Sequence, residues 1–303
     1  MTESKKNRLL FIAAVLQIIW GLVPSASKFV IDEIPIELYI AIRWTIAGTI
    51  FTLFVLLMKS WRPISLRSFS LVSMLGILGY GLASLATLYG LKIGGVTNFA
   101  LMGALSPAIT SFIAILLLKE RPQRLFFIAL PLSIAGLLIL VIGKYQISSV
   151  SVAGASAACI IGGAILEALV FVFSKKFKTQ MTTTQYLATA QMAAATLMWI
   201  LQLTVFHQID SIALLTARGL TAAIFVSVVA CVLCYAVLYW LLNFIDGHRL
   251  SLFDGFHALS ATMFAYIFFQ EKLTPLMLVG GTLILFGLVV GNLPKKISED
   301  SPE

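Results

Sequence analysis

Glu167, Asp254 and His257 are ionisable residues standing inside long apolar stretches of this chain. Transferring such a group to hydrocarbon costs at least a few kcal/mol, so each must face a protein interior or a wet cavity. Glu167 lies in Gly162-Gly163-Ala164-Ile165-Leu166-Glu167-Ala168. On a helix, Gly163, Glu167, Phe171 and Ser174 share one face. A carboxyl group there can hold an amine or carry a proton, since burial moves its pKa towards a useful range. It can equally serve as a structural partner for Arg43. Asp254 and His257 are three residues apart and fall on one helical face. A proton relay or a polar ligand contact fits that spacing, and so does a hydrogen bond that locks two helices.

Aromatic and hydroxyl side chains supply the rest of a candidate binding surface. Gln17, Trp20, Gly21, Pro24 and Lys28 form one stripe, with Pro24 as a structural kink because its ring removes a backbone donor. Tyr80, Ser84 and Thr87 line a second face, and Cys231, Tyr235 and Tyr239 approximate a third. Tyrosine joins an apolar ring to a hydrogen-bonding tip, which suits an amphipathic small molecule. Asn98 and Met102 are further candidates, with packing as the competing explanation. Arg43 reads as a structural ion pair or helix anchor. Cys231 and Cys234 have the spacing of a metal or redox pair, but no second pair exists and a zinc site needs about four ligands. With Cys159 they read as small apolar fillers, and no disulfide framework is indicated. The chain has no GxxxxGK[ST] loop and no HExxH, so neither an ATPase, a cofactor nor a metal is expected.

The elements that must position these groups are membrane spans. Hydrophobic residues make up 60% of the chain and charged residues 11%, against about a quarter charged in soluble domains. Ten apolar runs appear, near 9–30, 36–58, 69–91, 97–118, 125–143, 153–174, 184–206, 219–243, 250–270 and 275–293. Each is near the roughly 20 residues needed to cross a hydrocarbon core. They must be helical, because unpaired backbone groups are too costly in lipid and barrel alternation is missing. The expected fold is therefore all-α and polytopic. The first run exceeds a usual signal core and has no clear cleavage site, so it is expected to remain as a span.

Basic residues orient the spans. Lys5, Lys6 and Arg8 precede the first run; Lys59, Arg62 and Arg67, then Lys119, Arg121 and Arg124, fall on the same side. The opposite side receives only Lys28, Lys92, Lys144, Arg218 and Lys272. The positive-inside bias places both termini in the cytoplasm. The net charge of +8 then reflects topology and anionic lipid, and nucleic acid is not an expected partner.

The chain also repeats itself. An offset of 151 residues pairs Ala114 with Ala265, Glu120 with Glu271 and Gly136 with Gly287, without a gap. Nearer the front, an offset of 147 pairs Ser27-Lys28 with Ser174-Lys175 and Trp20 with Glu167. Five spans per half is an odd number, so the second half enters the membrane inverted. The organisation expected is a tail over 1–8, repeats over 9–150 and 151–293, and a tail over 294–303.

Several of these motifs, in order, resemble the ten-helix EamA branch of the drug/metabolite transporter superfamily. They are Trp20-Gly21 with Ser27-Lys28, Arg43, Ala104-Leu105-Ser106-Pro107 with Lys119-Glu120-Arg121, Gly247 to Leu250, Gln270 to Pro275 and Phe286-Gly287-Leu288-Val289. The resemblance implies a central cavity lined mainly by spans 1, 3, 4, 6, 8 and 9. It implies amino acids or other small metabolites as cargo, often exported. Pro107 has Ala258 as its counterpart, beside His257, a departure from the family's paired prolines. Taken together, the expectation is an alternating-access secondary transporter of a bacterial inner membrane, in contact with lipid and a small-molecule substrate. Multidrug efflux of lipophilic cations is the alternative, and a non-transporting scaffold a third reading. Glu167, Asp254 and His257 are the proton-coupling candidates, with Pro24, Pro107, Gly136 and Gly287 structural.

Overall fold

The computed structural model describes residues 3–118, 125–145, 150–177, 181–241, 244 and 254–291. Among these every regular element is helical. That is what a chain with so few exposed polar groups requires, since each helix satisfies its own backbone within lipid. Six helical stretches are long and apolar enough to cross a membrane, and four shorter apolar helices accompany them.

The elements are α1 (Glu3–Ile31), α2 (Ile36–Leu57), α3 (Leu66–Gly76), α4 (Ala83–Gly103), α5 (Ser106–Leu118) and α6 (Phe126–Tyr145) in the first half. The second half has α7 (Val150–Phe177), α8 (Thr183–Leu201), α9 (Ala217–Ile224), α10 (Tyr235–Leu241), α11 (Asp254–Phe269) and α12 (Pro275–Gly291). Ser65, Thr182 and Thr216 cap α3, α8 and α9, each accepting from a backbone N–H of the first turn, which satisfies a donor that a helix start otherwise leaves open.

The spans depart from straight helices in two ways. First, π-helical turns over Ile77–Leu82 join α3 to α4, and over Phe225–Cys234 they join α9 to α10. The repeat offset of 151 maps the first segment inside the second, so both halves carry the irregularity at matching places. Such turns are rare and concentrate at functional sites. Second, a break at Gly95 falls between the expected runs 69–91 and 97–118, and the run over 97–118 is itself interrupted at Ala104-Leu105. Gly95 breaks α4 with φ 82° and ψ 172°, a conformation open essentially to glycine alone. The chain then turns at Ala104-Leu105 before α5 begins. Discontinuous helices of this kind are common at the binding sites of transporters.

The pseudo-two-fold can be read from packing. A Cβ on Gly136 would meet the Gly280 carbonyl oxygen at 2.6 Å, and one on Gly287 would meet that of Ala129 at 3.0 Å. At the 151 offset Gly136 corresponds to Gly287 and Ala129 to Gly280. The contact is therefore reciprocal, as a two-fold demands. It joins α6 to α12, while α2 pairs with α8 in the same fashion. Met192 closes on Gly48, and the Trp199 indole N–H donates to Thr45 Oγ1 at 2.8 Å. At the far end of that pair Gln185 reads the Arg62 backbone in both directions, at 3.2 and 2.8 Å.

Filling the glycine contact should loosen this frame. Gly136→Leu puts a side chain against backbone that cannot retreat, and overpacking of this kind costs about 1–3 kcal/mol. The expected result is a melting temperature in detergent lowered by several degrees, whereas Leu138→Ala on the exposed side of α6 leaves it nearly unchanged. Equal melting of the two variants would contradict the reciprocal packing.

Candidate functional site

The groups that could do chemistry come from α1, α2, α7, α11, the π-helical segments Ile77–Leu82 and Phe225–Cys234, and the start of α10. Arg43 lies two turns into α2 and is half-buried. Its Nε donates to Cys231 Sγ at 3.1 Å, and its guanidinium sits 4.5 Å from the centroid of the Trp44 ring. Trp44 in turn packs edge-on against Tyr80 at 4.7 Å. Tyr80 belongs to the first π-helical segment and Cys231 to the second, and the 151 offset pairs them. On the other side Trp20 packs edge-on against Tyr235 at 5.5 Å. Tyr39, one turn before Arg43, shares a hydrogen bond with Ser27 at 3.1 Å. Arg43 thus does not snorkel to an interface. It turns inward, held at one edge by sulfur and on one face by indole.

Glu167 stands opposite. On α7, a Cβ on Gly163 would touch Thr87 and the Ala83 carbonyl, and Val170 touches Gly79. Glu167 falls between those contacts, level with the π-helical segment. Its side chain is exposed. Its carboxylate has no hydrogen bond or ion pair among the described residues, and Arg43 is the charge acting on it. His257 on α11 is partly covered, one turn before Ser260, where Gly21 of α1 makes a close approach.

The remaining candidates separate into two groups. Asn98 and Ser84 are buried, and Asn98 Nδ2 donates to Ser156 Oγ at 2.7 Å, itself bonded to the Gly90 carbonyl at 2.9 Å. Met102 is 1% exposed in a cluster with Ile160, Ala258 and Met277. Asn98 and Met102 therefore sit in helix packing, away from the aromatic cluster. Phe171 is exposed one turn beyond Glu167. Pro24 lies buried within α1. Tyr239, Asp254 and Pro107 occupy helical backbone, and their side chains lie outside the described residues, as does Glu120.

Sequence reasoning missed Trp44, the bond from Arg43 to Cys231, and the role of Glu271. Cys231 was the repeat counterpart of Tyr80, which was the available signal. Glu271 accepts from the Val96 and Thr97 N–H groups at 2.7 and 2.9 Å. Gln270, in the left-handed region at φ 50°, ends α11 and turns Glu271 towards the helix start that Gly95 exposes. A carboxylate is favoured there by both the open donors and the helix dipole. Around it, Phe29 packs on Phe269 at 4.8 Å, Arg218 lies 3.5 Å over the Phe29 ring, and Glu33 accepts from Thr216 N and Oγ1 at 2.9 and 2.7 Å. Tyr89 donates to Glu37 nearby. The two halves are thus fastened together at this end. The described residues contain no group of three metal-ligating side chains.

Two stretches of the chain, 7–142 and 154–293, each match the EamA-like transporter family. The chain belongs to the EamA-like transporter family. It is accordingly a membrane protein of the drug/metabolite transporter type, built from two EamA repeats. A solved structure titled only as a crystal structure of a protein is similar in fold, with a TM-score of 0.61 and 17% identity over 96% of this chain and 98% of that one. No curated protein matches the chain.

Removing the Glu271 cap should release the helix start it holds. In Glu271→Ala, the amides of Val96 and Thr97 lose their acceptor, and buried hydrogen bonds to charged groups contribute about 1.5–3 kcal/mol. Hydrogen exchange of a peptide spanning residues 94–99 is expected to accelerate at least tenfold, with the α6–α12 interface unaffected. Unchanged exchange would contradict the cap.

Proposed function

We propose that this EamA-family chain is a ten-span secondary transporter of the bacterial inner membrane, moving amino acids or related small metabolites outward by alternating access. The observation that carries the reading is Glu167, a carboxylate on an apolar helix that keeps accessible surface and no direct partner among the described residues. Packing has no use for such a group, and a cargo with an amine has. The aromatic pairs Trp20–Tyr235 and Trp44–Tyr80 offer apolar walls for the remainder of the molecule. With the termini cytoplasmic, the end fastened by Glu271, Phe29 and Glu33 is the outer one. Those contacts form the outer gate in this reading. The α2–α8 and α6–α12 pairs serve as the frame against which the other spans rock.

Proton coupling through Glu167, with His257 and Asp254 as further carriers, belongs to the same proposal. No step calls for a cofactor or for chemistry on the cargo. A second reading, efflux of lipophilic cations, draws on the same carboxylate and aromatic walls. Arg43, a fixed positive charge in the same cluster, favours the metabolite reading over it.

Counterflow in proteoliposomes separates the two. A panel of radiolabelled amino acids is expected to exchange through the wild-type protein, and cationic dyes are not. Glu167→Gln should lower exchange at least tenfold while the protein still elutes as a folded species. Dye exchange without amino-acid exchange would select the efflux reading, and full activity of Glu167→Gln would remove the basis of both.

A further inference from the structure

Arg43 is more than an anchor. A guanidinium within a membrane span ordinarily finds a carboxylate, because its desolvation is otherwise uncompensated. Among the described residues Arg43 has none within ion-pair distance, and the ion pair present there is Lys28–Asp32. Its bonded partner is the thiol of Cys231, a weak acceptor. That bond occupies Nε and leaves both terminal amines without a hydrogen bond among the described residues. Half-burial keeps the residue accessible. The Trp44 face fixes the plane of the group, and Trp44 itself, 2% exposed, has an indole N–H without an acceptor among the described residues. Buried donors are rarely left so.

Glu167 completes the picture. Arg43 is the charge that acts on it, and both side chains keep accessible surface, yet the two do not form an ion pair among the described residues. Opposite charges near one another in a low-dielectric interior normally collapse together unless something is meant to come between. We propose that Arg43 binds the carboxylate of the cargo through its terminal amines, opposite Glu167 on the cargo's amine, so that the site selects zwitterions carrying both groups. The inference rests on the transporter reading and names its substrate class. A planar, pre-oriented fork suits a bidentate carboxylate and loses little freedom on binding it. The same charge repels simple lipophilic cations, which gives the site discrimination as well as affinity.

The test uses the full chain in detergent and follows quenching of tryptophan fluorescence by free amino acids and by their C-terminal amides, which keep the amine and lose the carboxylate. Wild-type protein is expected to bind at least one free amino acid roughly 10- to 100-fold more tightly than its amide. Arg43→Gln should abolish that preference while still binding the amide through Glu167, which also shows that the variant folds. Arg43→Lys should recover only part of the preference, because an ammonium lacks the fork. Amides bound as tightly as free acids by the wild type, or an undiminished preference in Arg43→Gln, would overturn the role of Arg43 and leave the transporter reading standing. Binding of neither acid nor amide, together with absent amino-acid counterflow, would overturn the amino-acid reading itself and this inference with it.

Discussion

Hydrocarbon offers no partner to a charge or a hydrogen-bonding group, and every other feature of this protein follows from that. It forces the backbone into helices, which satisfy their own amides. It leaves nothing for helices to gain by hiding apolar side chains from lipid, so association must come from close packing. Hence the glycines at the α6–α12 contact, where Gly136 and Gly287 let backbones meet. It also confines ionisable groups to places where protein or water can receive them. Glu271 is received by the open helix start after Gly95, and Arg43 by sulfur and indole. Glu167 alone of these has no bonded partner among the described residues, and so it points to something that is brought in.

The two EamA repeats give a reason for the proposed site to lie between the halves. Two copies related by a two-fold share a frame, seen in the reciprocal contacts of Gly136 and Gly287. They also share an irregularity, the π-helical segments that carry Tyr80 and Cys231. Within that common frame the inner surfaces have diverged. Trp20 corresponds to Glu167, and Tyr80 to Cys231. In the proposed site one half would supply the cation Arg43 and the other the anion Glu167, a polarity that a symmetric pair could not give a cargo.

How much of this could be read beforehand depends on the kind of information each feature needs. The helical membrane fold and the two-part organisation were legible, because both are written in runs of apolar residues and in the match of Glu120 and Gly136 to Glu271 and Gly287. Glu167 was legible too, since a carboxyl group inside an apolar run is conspicuous on its own. The break at Gly95 falls in the gap between the expected third and fourth runs, but the turn at Ala104-Leu105 inside the fourth run was not legible. Runs report hydropathy, and a turn among apolar residues does not alter hydropathy. Asn98 and Met102 were left between binding and packing for a related reason: helical periodicity says which residues share a face, and only the fold shows that this face meets Ser156 and Ile160. The setting of Arg43 was equally hidden, because its contact with Cys231 joins residues far apart in the chain.

The central claim is that Glu167 faces a water-filled cavity between the halves rather than lipid or a packed core. Cysteine accessibility tests it most directly. In an active parent with Cys159, Cys231 and Cys234 replaced by serine, Glu167→Cys is exposed to a membrane-impermeant maleimide in native vesicles, with Leu166→Cys beside it as a comparison. The account predicts rapid labelling at position 167 and far slower labelling at 166. Position 167 labelled only after denaturation would contradict it.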